Sequence, residues 1–136
     1  MSHLDTRKSF TLIELSIVLV ILGVLATLSL NYAGIMHEKT LGREAASQLK
    51  LIQSALEALR VETNADSYTP CGPTADCNAK LRIILPGNGN WIYSVMAAGN
   101  GAGATYTATA TRQGIALCTY TINQAQTDPV NNGCQP

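Results

Sequence analysis

The chain has no proline before Pro70 and no cysteine before Cys71. Proline removes a backbone donor and clashes with the preceding turn of a helix, so no residue of that kind interrupts the segment from Phe10 to about Glu62. Large aromatic anchors are scarce, with one Phe and one Trp in 136 residues. The soluble part therefore has a modest core and benefits from covalent staples. Net charge is also missing, because nine Lys plus Arg balance nine Asp plus Glu. That balance argues against holding nucleic acid through a nonspecific basic field, and only Lys80, Arg82 and Arg112 place positive charge in the C-terminal half considered for DNA capture.

Catalytic and cofactor signatures are absent as well. His3 and His37 stand without a nucleophile or a carboxylate partner in pattern, so the sequence predicts no catalytic residue and no enzyme activity. Gly99-Asn100-Gly101-Ala102-Gly103 lacks the spacing of a phosphate-binding loop and precedes no helical pattern. The four cysteines are spaced Cys-x5-Cys and Cys-x15-Cys, unlike the close pairs of common structural zinc sites. Asp66, Asp76 and Asp128 match no calcium loop. No metal and no cofactor is expected.

What is present begins with an apolar run. From Phe10 to Leu30 the chain reads FTLIELSIVLVILGVLATLSL, 21 residues with one charge. At about 1.5 Å per residue a helix of that length spans about 30 Å, the thickness of a bilayer's hydrocarbon core. The run is longer than the apolar core of a secretory signal. Arg7 and Lys8 precede it, so the positive-inside tendency predicts Met1 in the cytoplasm and the residues after the run outside. Cys71, Cys77, Cys118 and Cys134 all follow the run, as suits an exported, oxidised domain.

The anomaly is Glu14, a carboxylate inside the apolar run. On insertion scales a charge there costs several kcal/mol, and it is normally kept for a partner. Its surroundings, Lys8-Ser9-Phe10-Thr11-Leu12-Ile13-Glu14, resemble the processing motif of the type IV pilin family, in which a small residue precedes Phe and a glutamate follows four positions later. Ser9 stands where glycine is usual, and Ser29-Leu30-Asn31-Tyr32-Ala33 lacks the proline that many pilins carry near the outer end of this stretch.

The resemblance implies cleavage between Ser9 and Phe10 by a prepilin peptidase and N-methylation of Phe10. The new amine, with an ordinary pKa near 8, would be cationic. It would meet Glu14 of a neighbouring subunit, and in a low-dielectric bundle such a pair is far better than either charge alone. The implied product is a structural subunit of a type IV pilus, a homo-oligomeric helical filament assembled by a membrane platform and an ATPase. It would reside first in the bacterial inner membrane and then on the cell surface, where such filaments serve adhesion. A minor pilin or a type II secretion pseudopilin is the nearest alternative, and a competence-type DNA-binding pilin a further one.

Beyond residue 33, Leu41, Ala45, Leu49, Ile52, Leu56 and Leu59 recur at steps of three and four among charged residues, which predicts an amphipathic continuation of the helix over 33–63. Residues 64–90 read as a loop, with Cys71 to Cys77 a turn-rich segment suited to a local disulfide. Three β-type runs follow at 91–96, 105–111 and 115–122. The fold class is α+β: a long N-terminal helix, membrane-spanning over 10–32 and amphipathic after it, packed on a small antiparallel sheet of three or four strands over 91–136. A leader covers 1–9. Cys118 and Cys134 would close a 17-residue segment, which resembles the C-terminal disulfide loop of pilins.

Overall fold

The computed structural model describes residues 11–87, 89–115 and 117–134; residues 29–33 are described by their backbone alone. One helix, α1, runs from Leu12 to Thr63 over 52 residues. It ends on Asn64, whose φ of 49° is left-handed. Asn64 N–H donates to the Val61 carbonyl at 3.3 Å and Ala65 N–H to the Arg60 carbonyl at 3.1 Å. This is the paired 5→2 and 6→1 closure that satisfies the last carbonyls of a helix, with asparagine in the place glycine usually takes.

The chain divides into two compact units at His37/Glu38. In the first, the apolar side chains from Leu12 to Leu28 are exposed. The second, Glu38–Pro136, has its own core. Leu41, Ala45, Leu49, Ile52 and Leu56 place one stripe of α1 inward, against Trp91, Tyr93, Val95, Tyr106, Ala108, Ala110 and Ile122 of a sheet. The steps of four and three keep these residues on one helical face.

The sheet has four antiparallel strands in sequence order: β1 (Trp91–Ala98), β2 (Thr105–Arg112), β3 (Thr119–Asn123) and β4 (Val130–Asn132). Strand β2 shows why period-two patterning works, with Tyr106, Ala108 and Ala110 buried and the alternating threonines turned outward. Burial pushes the Tyr106 phenol up to about 12 and that of Tyr93 higher still, so both remain neutral.

The outer edge of β1 is bridged at Val95. Cys71 N–H donates to the Val95 carbonyl at 3.0 Å and Val95 N–H to the Cys71 carbonyl at 2.7 Å. Cys71 is held in turn by its disulfide to Cys77. Cys77 belongs to a second helix, α2 (Thr74–Leu81), within the 64–90 stretch expected to be a loop. Asp76 steadies its first turn: the carboxylate accepts the Gly72 N–H at 3.0 Å and pairs with Lys80 at 3.0 Å. The Gly72 bond, helped by Lys80, lowers the Asp76 pKa below the ordinary carboxylate range. Its contribution to stability is therefore present above about pH 4 and lost as pH falls through the lowered value.

Both ends of α1 within the second unit are tied to other parts of that unit. Arg60 lies 4.7 Å from the Tyr68 ring centre and donates to the Gly101 carbonyl at 2.5 Å. Arg112 lies 5.4 Å from the Trp91 ring centre and reaches Glu38 at 3.4 Å.

The third β run was expected over 115–122, but β3 starts at Thr119. Leu117 takes a φ of 66° and cannot continue a strand. Cys118–Cys134 closes the C-terminal loop. That loop is not wholly irregular, because β4 adds to β3 with Thr119 opposite Asn132 and Thr121 opposite Val130. Gly133 has a φ of 75°, and a Cβ there would collide with the Leu117 carbonyl. Gly133→Ala is expected to cost about 1–3 kcal/mol, read as a lower thermal midpoint with the disulfide intact; an unchanged midpoint would refute the steric account.

The membrane-spanning expectation covers residues 10–32, of which residue 10 lies outside the described residues and 29–33 are described by their backbone alone. Among the described residues no helix is long and apolar enough to cross a membrane.

Candidate functional site

The first turn of α1 gathers the residues that matter. Thr11 precedes the helix, and its carbonyl accepts the first helical bond, from Leu15 N–H at 3.2 Å. Its hydroxyl oxygen accepts the Glu14 N–H at 3.3 Å and donates back to Glu14 Oε2 at 3.0 Å. The Thr11 N–H donates to the same Oε2 at 3.1 Å. This is a reciprocal capping box, in which a residue at the cap and one three positions on satisfy each other's backbone donors.

The pattern is present in the sequence as Thr11-Leu12-Ile13-Glu14, a threonine followed three positions later by glutamate. The carboxylate is thus fixed at the very start of the helix, where the unsatisfied N–H groups favour negative charge. The residues on the other side of Thr11, Ser9 and Phe10, lie outside the described residues, and so does the expected cleavage and methylation point.

Further along, the polar atoms of the apolar run are turned back onto their own helix. Ser16 donates to the Ile13 carbonyl at 2.8 Å and Thr27 to the Val24 carbonyl at 2.8 Å. Neither hydroxyl needs water. Leu12, Ile13, Leu15, Ile17, Val18 and Leu19 are all exposed. Six such residues within eight positions cover every side of a helix with 3.6 residues per turn. A helix apolar all round belongs in an apolar surrounding.

The remaining predicted site residues are elsewhere. Cys71–Cys77 and Cys118–Cys134 are both bonded pairs in the second unit. Asp128 pairs with Lys50 at 2.6 Å and Asp76 with Lys80, while Asp66 offers its backbone carbonyl to Gly101 N–H at 2.7 Å. Among the described residues no group of three His, Cys, Asp or Glu is placed to hold a metal ion.

The prokaryotic N-terminal methylation motif matches residues 5–30, which contain the capping box and the exposed apolar turns. That motif is the hallmark of type IV pilins and pseudopilins, and the long helix, four-stranded antiparallel sheet and C-terminal disulfide agree with the pilin fold. It implies processing by a prepilin peptidase and assembly into a pilus-type filament. No curated protein and no solved structure matches the chain.

Proposed function

We propose that this chain is a structural subunit of a type IV pilus, cut between Ser9 and Phe10 and polymerised through the apolar half of α1. The observation that supports this best is the all-round exposure of Leu12 to Leu28 on a helix whose first turn carries a fixed carboxylate. Left in water, each large apolar side chain would cost roughly 1.5–3 kcal/mol, so once the subunit leaves lipid these helices must pack laterally on one another. In the inner membrane the same surface faces lipid; in the filament it faces neighbouring copies. An ATPase and an assembly platform supply the work of transfer. The reading carries no catalytic role.

Glu14 gives the transfer its direction. A Phe10 amine freed by cleavage is cationic, and it competes with the Thr11 donors for the carboxylate of a subunit already in place. Neutral before cleavage and charged after it, Phe10 switches the contact on.

Filaments sheared from expressing cells should contain chains that start at N-methylated Phe10, as read by mass spectrometry. Chains that retain Met1 would refute the pairing mechanism. Cells that express the protein and its peptidase yet show no filaments by electron microscopy would refute the pilus subunit itself.

A further inference from the structure

Many charges of the Glu38–Pro136 unit are spent inside it. Glu38 reaches Arg112, Lys50 reaches Asp128, Asp76 reaches Lys80 and Glu62 reaches Arg82. Lys39, Arg43, Glu57 and Asp66 are exposed and enter no ion pair among the described residues. The two signs are separated along the unit's helix. Glu57 follows Arg43 by 14 residues and Lys39 by 18, which is about 21 and 27 Å along the axis. Eighteen residues make about five whole turns, so Lys39 and Glu57 lie on one side of the helix. The serines between them keep their hydroxyls to themselves: Ser47 donates to the Glu44 carbonyl at 2.8 Å and Ser54 to the Leu51 carbonyl at 2.9 Å.

The two acids share a cleft. Glu57 and Asp66, with Asn64 and Tyr68, line an open space of about 520 Å³. Arg60 lines it too, but its guanidinium lies over the Tyr68 ring and donates to the Ala65 and Gly101 carbonyls. Neither carboxylate is paired with it. The cleft is therefore shaped and charged for a cationic side chain from outside, and an arginine can meet a carboxylate there through two parallel bonds.

We propose that the Glu57/Asp66 cleft of one copy receives Arg43 and Lys39 of a second copy. Two copies lying parallel and in register would set Arg43 beside Arg43 and Glu57 beside Glu57, like charge against like. A shift of about 21–27 Å along the axis brings the cations of one onto the carboxylates of the other. Subunits of a filament all point the same way, so the shifted arrangement applies and an antiparallel pair does not. Each copy then offers its cleft to one neighbour and its cations to another, and unless the rotation closes a ring the contact continues as an open helix. Exposed ion pairs add little affinity one by one; their effect is to select this axial register against the like-charged one. The inference rests on the filament reading and is separate from the Glu14 contact.

The test uses the full chain in cells that assemble filaments. Arg43→Glu and Glu57→Arg should each lower filament yield about three- to tenfold, with membrane level and N-terminal processing unchanged, and combining them should restore most of that loss through the reversed pair. In wild-type filaments a carbodiimide, which joins an amine directly to a carboxylate, should link Lys39 to Glu57 or Asp66, as read by mass spectrometry after digestion. Within one chain about 27 Å of helix separates Lys39 from that cleft, so such a link arises only between copies. Wild-type yield from both single variants, a double variant no better than the worse single one, or carbodiimide products without a link from Lys39 to the cleft would each overturn the contact. Loss of yield from Arg43→Glu beside wild-type yield from Glu57→Arg would assign the cations to anionic lipid headgroups and overturn it as well. Should Arg43→Glu fail to accumulate, the carbodiimide products of unaltered filaments still decide. Absence of filaments from the wild type would refute the filament reading and this contact with it; normal filaments indifferent to both charge reversals would refute the contact alone.

Discussion

Removing the Cys118–Cys134 bridge by replacing both cysteines with alanine is expected to lower the thermal midpoint of the Glu38–Pro136 unit by about 10–20 °C. The bond closes a loop of 17 residues, worth about 3 kcal/mol through restriction of the unfolded chain. In a unit of this size each kcal/mol moves the midpoint by about 4–8 °C. The loss should begin locally, because β4 holds only three residues, all exposed, and little besides the bridge keeps it beside β3. Hydrogen exchange should show amides of Asn123 to Gly133 opening before those of Leu49 to Leu56. The Cys71–Cys77 loop is shorter, and its removal should cost somewhat less, about 2 kcal/mol on the same relation. A midpoint within a few degrees of wild type for the Cys118/Cys134 variant would mean that the loop is held by its side-chain bonds, such as Asn132 to Thr121 at 3.0 Å.

The second large effect is expected from Glu14→Ala. Filament yield should fall about tenfold or more, because the substitution leaves a cationic terminus unpaired in an apolar bundle. Insertion and processing should be intact. The capping box makes the control informative. Thr11→Val removes the hydroxyl that donates to Glu14 Oε2 but leaves the carboxylate and the Thr11 backbone donor position in place. If the carboxylate acts between subunits, Thr11→Val should retain most of the filament yield. If Glu14 serves only to start its own helix, the two variants should fail alike. Glu14→Asp separates reach from charge, since aspartate keeps the charge on a side chain one methylene shorter. These yields are to be counted by electron microscopy at matched membrane levels of subunit.

The parts of the fold legible in the sequence are those where burial imposes a period. Leu41 to Leu56 could be placed on one helical face, and Thr105 to Thr111 alternates so strictly that β2 could be placed within a residue. What escaped reading lacked that signal. Helix α2 has eight residues and buries only Cys77 and Leu81, too few to show a period. Strand β4 is Val130-Asn131-Asn132, three exposed residues recruited by the neighbouring bridge. The run from Ile115 looked like strand because it is apolar, but the left-handed Leu117 breaks it and turns the apolar residues into a surface feature. At the candidate site the charge of Glu14 was conspicuous and the hydroxyl of Thr11 was not, although the pair forms a single hydrogen-bonded unit.

The bonds between Cys71 and Val95 have a bearing on aggregation. At high local concentration a sheet with an open margin would invite its neighbours to add strands indefinitely. Here one margin is interrupted at Val95 by the chain's own Cys71, and the other is a three-residue strand ending in a covalent loop. Molecules of this kind offer little open sheet margin from which cross-β deposits could be seeded.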